Sequence, residues 1–184
     1  MDLTDSQNLQ FLLKKHGLKP LKRFGQNFLI DEELPQKLVA AAQIEAQDTV
    51  LEIGPGVGAI TQALAQKAKR VVAIEKDRNM VEVLKETLKD FGNIDIIQDD
   101  ILRFDLPKLR LMLGGRTSFK IVGNLPFYLT APVIRMFLET KENKPISMTL
   151  VVQKEVGQRI CAKPPKMSIL ANSVQFYADP EIIS

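Results

Sequence analysis

Asn124-Leu125-Pro126-Phe127 is the stretch of this 184-residue sequence whose residue types come closest to specifying a reaction. An exocyclic amine such as adenine N6 is a poor nucleophile, because its lone pair is delocalised into the ring. The Asn124 side-chain carbonyl and a backbone carbonyl near Leu125 offer two acceptors for that amine. Together they would turn its lone pair toward the methyl of a sulfonium and favour the more tetrahedral transition state. Pro126 stiffens the turn, and Phe127 supplies a face on which a base stacks. Transfer of this kind rests on proximity and orientation, with no metal and no covalent enzyme intermediate. A base within a duplex or stem must be flipped out to reach such a pocket.

A second constellation is suited to holding the donor. Leu51-Glu52-Ile53-Gly54-Pro55-Gly56-Val57-Gly58 reads as a strand running into a glycine turn, where a ligand approaches the backbone without meeting a Cβ. Gly54, Gly56 and Ala59 also satisfy the dinucleotide pattern G-x-G-x-x-G/A, and Glu75 would take a ribose diol in either case. Pro55 removes one N–H from the turn, which suits a ligand lacking a pyrophosphate. Asp99 and Asp100 place carboxylates at the same sheet edge, where one would accept from the amine of an adenosyl group and the other would cap a turn.

These residues need a frame that gathers them. Thr49–Ile53, Arg70–Glu75, Ile94–Ile97, Phe119–Gly123 and Ile146–Val152 read as nearly continuous apolar strands, the pattern of a sheet covered on both faces. Helical periods separate them: Ile60, Leu64 and Lys67; then Met80, Leu84, Leu88 and Phe91; then Val133, Ile134, Phe137 and Leu138. The expected fold class is therefore α/β, a doubly wound and mostly parallel Rossmann-like sheet with right-handed crossovers. In front of it, a helix is expected from about Ser6 to His16, capped by Thr4 or Asp5, and another after Asp31. The expected organisation is an arm over 1–30 that contributes to the cofactor site, and a catalytic domain over 31–184. Asn172–Ala178 reads as a sixth strand.

Composition narrows the alternatives. No apolar run reaches the roughly 18 residues of a membrane span, and the N-terminus has no signal-peptide character; a cytoplasmic location is expected. One cysteine, Cys161, and one histidine, His16, leave little for a disulfide, zinc or His-based triad. The net charge is only +3, yet Lys14, Lys15, Lys19, Lys22 and Arg23 fall within ten residues. Such a patch suits RNA phosphates, and a solvated helix end and linker explains it equally well.

In sequence order, Arg23-Phe24-Gly25-Gln26-Asn27-Phe28-Leu29, Leu51–Gly56, Val72–Asp77, Asp100-Ile101, Gly123–Phe127, Gln153–Val156 and Ala162-Lys163-Pro164 resemble the motifs of one family. It is the KsgA/RsmA-type small-subunit ribosomal RNA adenine dimethyltransferases, relatives of the Erm methyltransferases. The resemblance runs from about Pro20 to the end of the chain. It implies a class I methyltransferase fold. It also implies transfer of methyl groups from S-adenosyl-L-methionine to N6 of two adjacent adenosines near the 3′ end of 16S ribosomal RNA. Asn27, Leu29, Gly54, Gly56, Glu75, Asp100 and Asn124 would line the cofactor site, with Asp100 favoured over Asp99. The implied partner is small-subunit ribosomal RNA or its precursor particle, met by a monomer without metal or membrane.

Three features depart from that pattern. Phe127 stands where the family usually has tyrosine, and Ala162–Ser168 is shorter than the usual loop. The sequence stops at Ser184, before the family's next strand and small helical C-terminal domain. The expected reading is a C-terminally truncated chain; its alternative function is a cofactor- and RNA-binding assembly fragment without turnover.

Overall fold

The computed structural model describes residues 2–18, 32–113, 115, 118–140 and 144–183. The Arg23–Leu29 run, with Lys19, Lys22, Asn27 and Leu29, lies outside them.

Five strands form one sheet: β1 (Thr49–Ile53), β2 (Arg70–Glu75), β3 (Ile94–Gln98), β4 (Lys120–Asn124) and β5 (Ser147–Val151). Their order is β3-β2-β1-β4-β5, and every neighbouring pair is parallel. Parallel neighbours need crossovers, which put helices on both faces. Val50, Val71 and Val122 pack on one face against α2 (Leu34–Ala41) and α3 (Ala59–Ala65), through Leu38, Val39 and Leu64. Leu51, Ile74 and Ile121 pack on the other against α5 (Leu106–Met112) and α6 (Phe127–Leu138), through Leu109, Val133 and Phe137. The alternate residues of each strand thus point to opposite cores, as the continuous apolar runs require. Winding outward from β1 to β3 and then crossing to β4 opens a crevice at the carboxyl ends of β1 and β4.

Two of the chain's caps follow directly from residue type. The Asp5 side chain accepts from Asn8 N at 2.8 Å and starts α1 (Ser6–Lys15), while Asp77 accepts from Asn79 N at 2.9 Å and starts α4 (Arg78–Thr87). Helix α1 buries Leu9, Leu12 and Leu13 against Val57, Met80 and Val83, so the arm's helix lies on α4 and on the glycine turn.

The sixth strand expected at Asn172–Ala178 is instead α8 (Ile169–Tyr177), which follows α7 (Lys154–Ile160). The Ser168 hydroxyl accepts from Ala171 N at 3.1 Å, and the buried pair Ala171 and Val174 has helical spacing. Val174 packs on Ile134 and Ile160, and Gln175 Nε2 donates to the carbonyls of Ile160 and Ala162 at 2.7 and 2.9 Å. Ser-Val-Gln-Phe alternates polar and apolar residues as a strand would, but Phe176 is 81% exposed and takes no part in the core. Capping and the Gln175 bridge to the end of α7 outweigh a two-residue period.

Gly123 marks the tightest approach in the sheet. A Cβ there would stand 2.9 Å from the Ile53 carbonyl oxygen, a backbone atom that moves only if β1 and β4 separate. Gly123→Ala is expected to cost about 1–3 kcal/mol. A lower urea midpoint with unchanged slope would register it; a midpoint equal to the parent's would mean the strands part freely.

Candidate active site

The crevice is a pocket of about 1020 Å³, open mouth included, lined from the ends of β1, β2, β3 and β4. At its floor, Gly54 N donates to Ile74 O at 3.0 Å, and Gly58 N donates to Pro55 O at 3.0 Å. The turn between them places Gly54 at φ +70° and Gly56 at φ +60°, conformations glycine adopts without strain. A Cβ built on Gly54 meets nothing within 4 Å, so its demand for glycine comes from conformation, with free space beside it.

Glu75 closes the far side of that turn. Its Oε2 accepts from Gly56 N at 3.3 Å and its Oε1 from Asp77 N at 2.8 Å, with the residue only 8% exposed. Burial pushes its carboxyl above the usual range, opposed by these two N–H donors. Asp99 and Asp100 follow at the end of β3, and both line the pocket. Asp99 Oδ1 accepts from Asp100 N at 2.7 Å. Asp100 does two jobs at once: Oδ1 caps the 3₁₀ turn Ile101–Arg103 through Leu102 N at 3.1 Å, and Oδ2 pairs with Lys76 Nζ at 2.8 Å. Burial works against its ionisation, but Lys76 and Leu102 N more than offset this and hold it below the usual carboxylate range.

From the other side of the crevice come Asn124, Leu125 and Pro126, the end of β4 and the link into α6. Leu125 is buried in the core under α6, which fixes the link from below. Phe127 is not among the lining residues and is 65% exposed; its neighbour Tyr128 lines the pocket, and their rings meet edge to face, centroids 5.8 Å apart. Sequence reasoning missed Tyr128, although a second aromatic in the first turn of α6 was a usable signal. It also missed Lys76, whose position between Glu75 and Asp77 puts it at the same edge.

Glu52 was missed as well. It sits on β1, 1% exposed, and neither its carboxyl oxygens nor the Thr61 hydroxyl has a hydrogen-bond partner. Burial pushes its carboxyl up to about 8; Thr61 is near enough to oppose this, and Glu75 adds to it. A charge within an otherwise apolar strand was the signal.

Of the basic cluster, Lys14 is exposed. Lys15 Nζ pairs with Glu86 at 2.6 Å, beside His16 Nε2 at 3.0 Å from the same carboxylate, which ties the end of α1 to α4. Among the described residues no group of three or more His, Cys, Asp or Glu is placed to hold a metal, and no helix is long and apolar enough to cross a membrane.

The family model for ribosomal RNA adenine dimethylase matches residues 17–184. The chain belongs to that family. A ribosomal RNA small subunit methyltransferase A of Alkaliphilus metalliredigens is 41% identical over 175 residues, covering 94% of this chain and 60% of the relative. Its counterpart in Clostridioides difficile is 38% identical over 188 residues, covering 100% of this chain and 64% of its own. The chain thus spans about 60% of the length of the curated relatives it matches. Among solved structures, the 23S rRNA methyltransferase ErmE superposes with a TM-score of 0.63 at 28% identity, over 72% of this chain and 50% of that one. A dimethyladenosine transferase from Plasmodium falciparum gives 0.64 at 26%, over 79% and 50%. The sheet is accordingly the Rossmann-like sheet of this family.

Proposed function

We propose that the chain uses S-adenosyl-L-methionine to methylate N6 of two adjacent adenosines near the 3′ end of small-subunit ribosomal RNA, during assembly of the small subunit in the cytoplasm. The observation that carries this reading is one pocket shared by the Gly54–Gly56 turn, Glu75 and Asp100 on one side and Asn124-Leu125-Pro126 on the other. The residues fit the donor. Glu75 offers a buried carboxylate for a ribose diol, Asp100 offers an ionised acceptor for an adenine amine, and the space beside Gly54 admits a ligand against the backbone. When bound, the donor supplies a methyl group on a sulfonium.

The chain's own part is to bind and orient. The Asn124 side-chain carbonyl and a backbone carbonyl of the Leu125 turn accept from the target amine and aim its lone pair at the methyl group. Pro126 holds that turn, and Phe127, exposed at the start of α6 outside the pocket lining, would stack on the base as it is flipped out and enters. The amine proton passes to solvent. In this reading residues 1–30 form an arm that contributes Asn27 and Leu29 to the donor site and Lys14, Lys15, Lys19, Lys22 and Arg23 to RNA phosphates, while 31–184 is the catalytic unit of a monomer.

The test is methyl transfer from labelled donor to small ribosomal subunits lacking the modification. Label is expected in N6-methylated adenine near the 3′ end of the RNA. A chain that binds the donor but leaves the subunits unlabelled would reject the catalytic reading. Glu75→Ala is expected to weaken donor binding roughly tenfold to hundredfold, the range for loss of a charge-assisted hydrogen bond. Calorimetry with the donor alone measures this, and an unchanged affinity would remove Glu75 from the site.

A further inference from the structure

The charges around the pocket are unevenly placed. Glu75, Lys76, Asp77, Asp99 and Asp100 all lie at the ends of β2 and β3. Among the described residues, the β4 side contributes Asn124, Leu125, Pro126, Tyr128 and Leu129, and no charged side chain. Among these described lining residues, oxygen lone pairs and one aromatic side chain are what a positive charge on that side would find. The ring is Tyr128, 40% exposed, and its neighbour Phe127 packs against it edge to face at 87°. The turn itself does not need an aromatic there, because Leu129 N donates to Pro126 O at 2.9 Å and Thr130 Oγ1 donates to the same oxygen at 3.4 Å.

We propose that Tyr128 is the residue by which this pocket favours the cationic methyl donor over the neutral thioether left after transfer. The proposal rests on the donor reading above. Donor and product differ by one methyl group and one positive charge, so shape separates them poorly. An aromatic face attracts a cation through its quadrupole, and more strongly when the ligand excludes water from the ring. It has no such attraction for the uncharged sulfur. The carboxylates near the adenosine end act on parts common to both ligands and provide no comparable preference. Tyr128 thus limits product inhibition.

The experiment is calorimetric titration of the full chain with S-adenosylmethionine and, separately, with S-adenosylhomocysteine, for the parent, Tyr128→Phe and Tyr128→Leu. Tyr128→Leu is expected to lose roughly tenfold in affinity for the sulfonium and less than about twofold for the thioether. Tyr128→Phe keeps a π face and should retain the parent's ratio. The thioether titration also reports folding, since a collapsed pocket would lose both ligands. Equal losses for both ligands in the leucine variant, or no loss for either, would overturn the proposal. If the parent binds neither ligand, the donor reading falls and this inference with it.

Discussion

Asn124→Ala is expected to lower methyl incorporation at least about a hundredfold while leaving the affinity for the donor within a few-fold of the parent. The argument rests on what the side chain does at each stage. In the proposed ground state the donor would be held mainly elsewhere, by the Gly54–Gly56 turn, buried Glu75 and the ion-paired Asp100. The carbonyl of Asn124 becomes valuable only as the acceptor nitrogen turns tetrahedral and its hydrogens gain positive character. Removing one group aimed at developing charge typically costs two to three orders of magnitude in rate, about 10²–10³. A loss confined to the chemical step, with donor binding preserved, is the signature of an interaction made in the transition state. Single-turnover incorporation at saturating donor, paired with donor calorimetry, separates the two effects. If rate and donor affinity fall together, Asn124 is a donor-binding residue, and the proposed role in orienting the amine is lost.

How far the sequence led to these residues depends on the kind of signal each carries. The sheet was legible because both its faces are covered, so β1 to β5 appear as nearly continuous apolar runs, interrupted inside β1 by Glu52 and β3 by Asp95, and found to within a residue or two. The pocket's two walls were legible because glycine at positive φ and an Asn-Pro turn are local requirements. α8 was misread because its decisive contacts are tertiary: the Val174 packing on Ile134 and the Gln175 bridge to Ile160 and Ala162 have no trace in a seven-residue window. Phe127 and Tyr128 could not be told apart for a related reason. They are adjacent on a helix, about 100° apart around its axis, and only the direction of α6 decides which one reaches the pocket. The dual role of Asp100 was hidden by Lys76, whose pairing across the strand ends depends on the β2–β3 register of Glu75 with Gln98.

Glu52→Gln should make the protein more stable, by an amount that grows with pH. Glu52 is enclosed between β1 and α3 with both oxygens lacking hydrogen bonds, and its carboxyl is pushed from 4.5 up to about 8. The sign follows from where each state holds its proton. Below about 4.5 the group is neutral folded and unfolded, and contributes no pH dependence. Between about 4.5 and 8 the unfolded chain has released the proton while the folded chain keeps it. Each pH unit there favours unfolding by about 1.4 kcal/mol. Above about 8 both states are ionised and the penalty stops growing. Glutamine keeps the shape and never ionises. The stability difference between variant and parent should therefore be under about 1 kcal/mol near pH 5, about 3 kcal/mol at pH 7, and level beyond pH 8. Urea denaturation of both proteins at these pH values measures it. A difference that stays flat from pH 5 to 9 would show that Glu52 ionises normally in the folded protein and would overturn the argument from its burial.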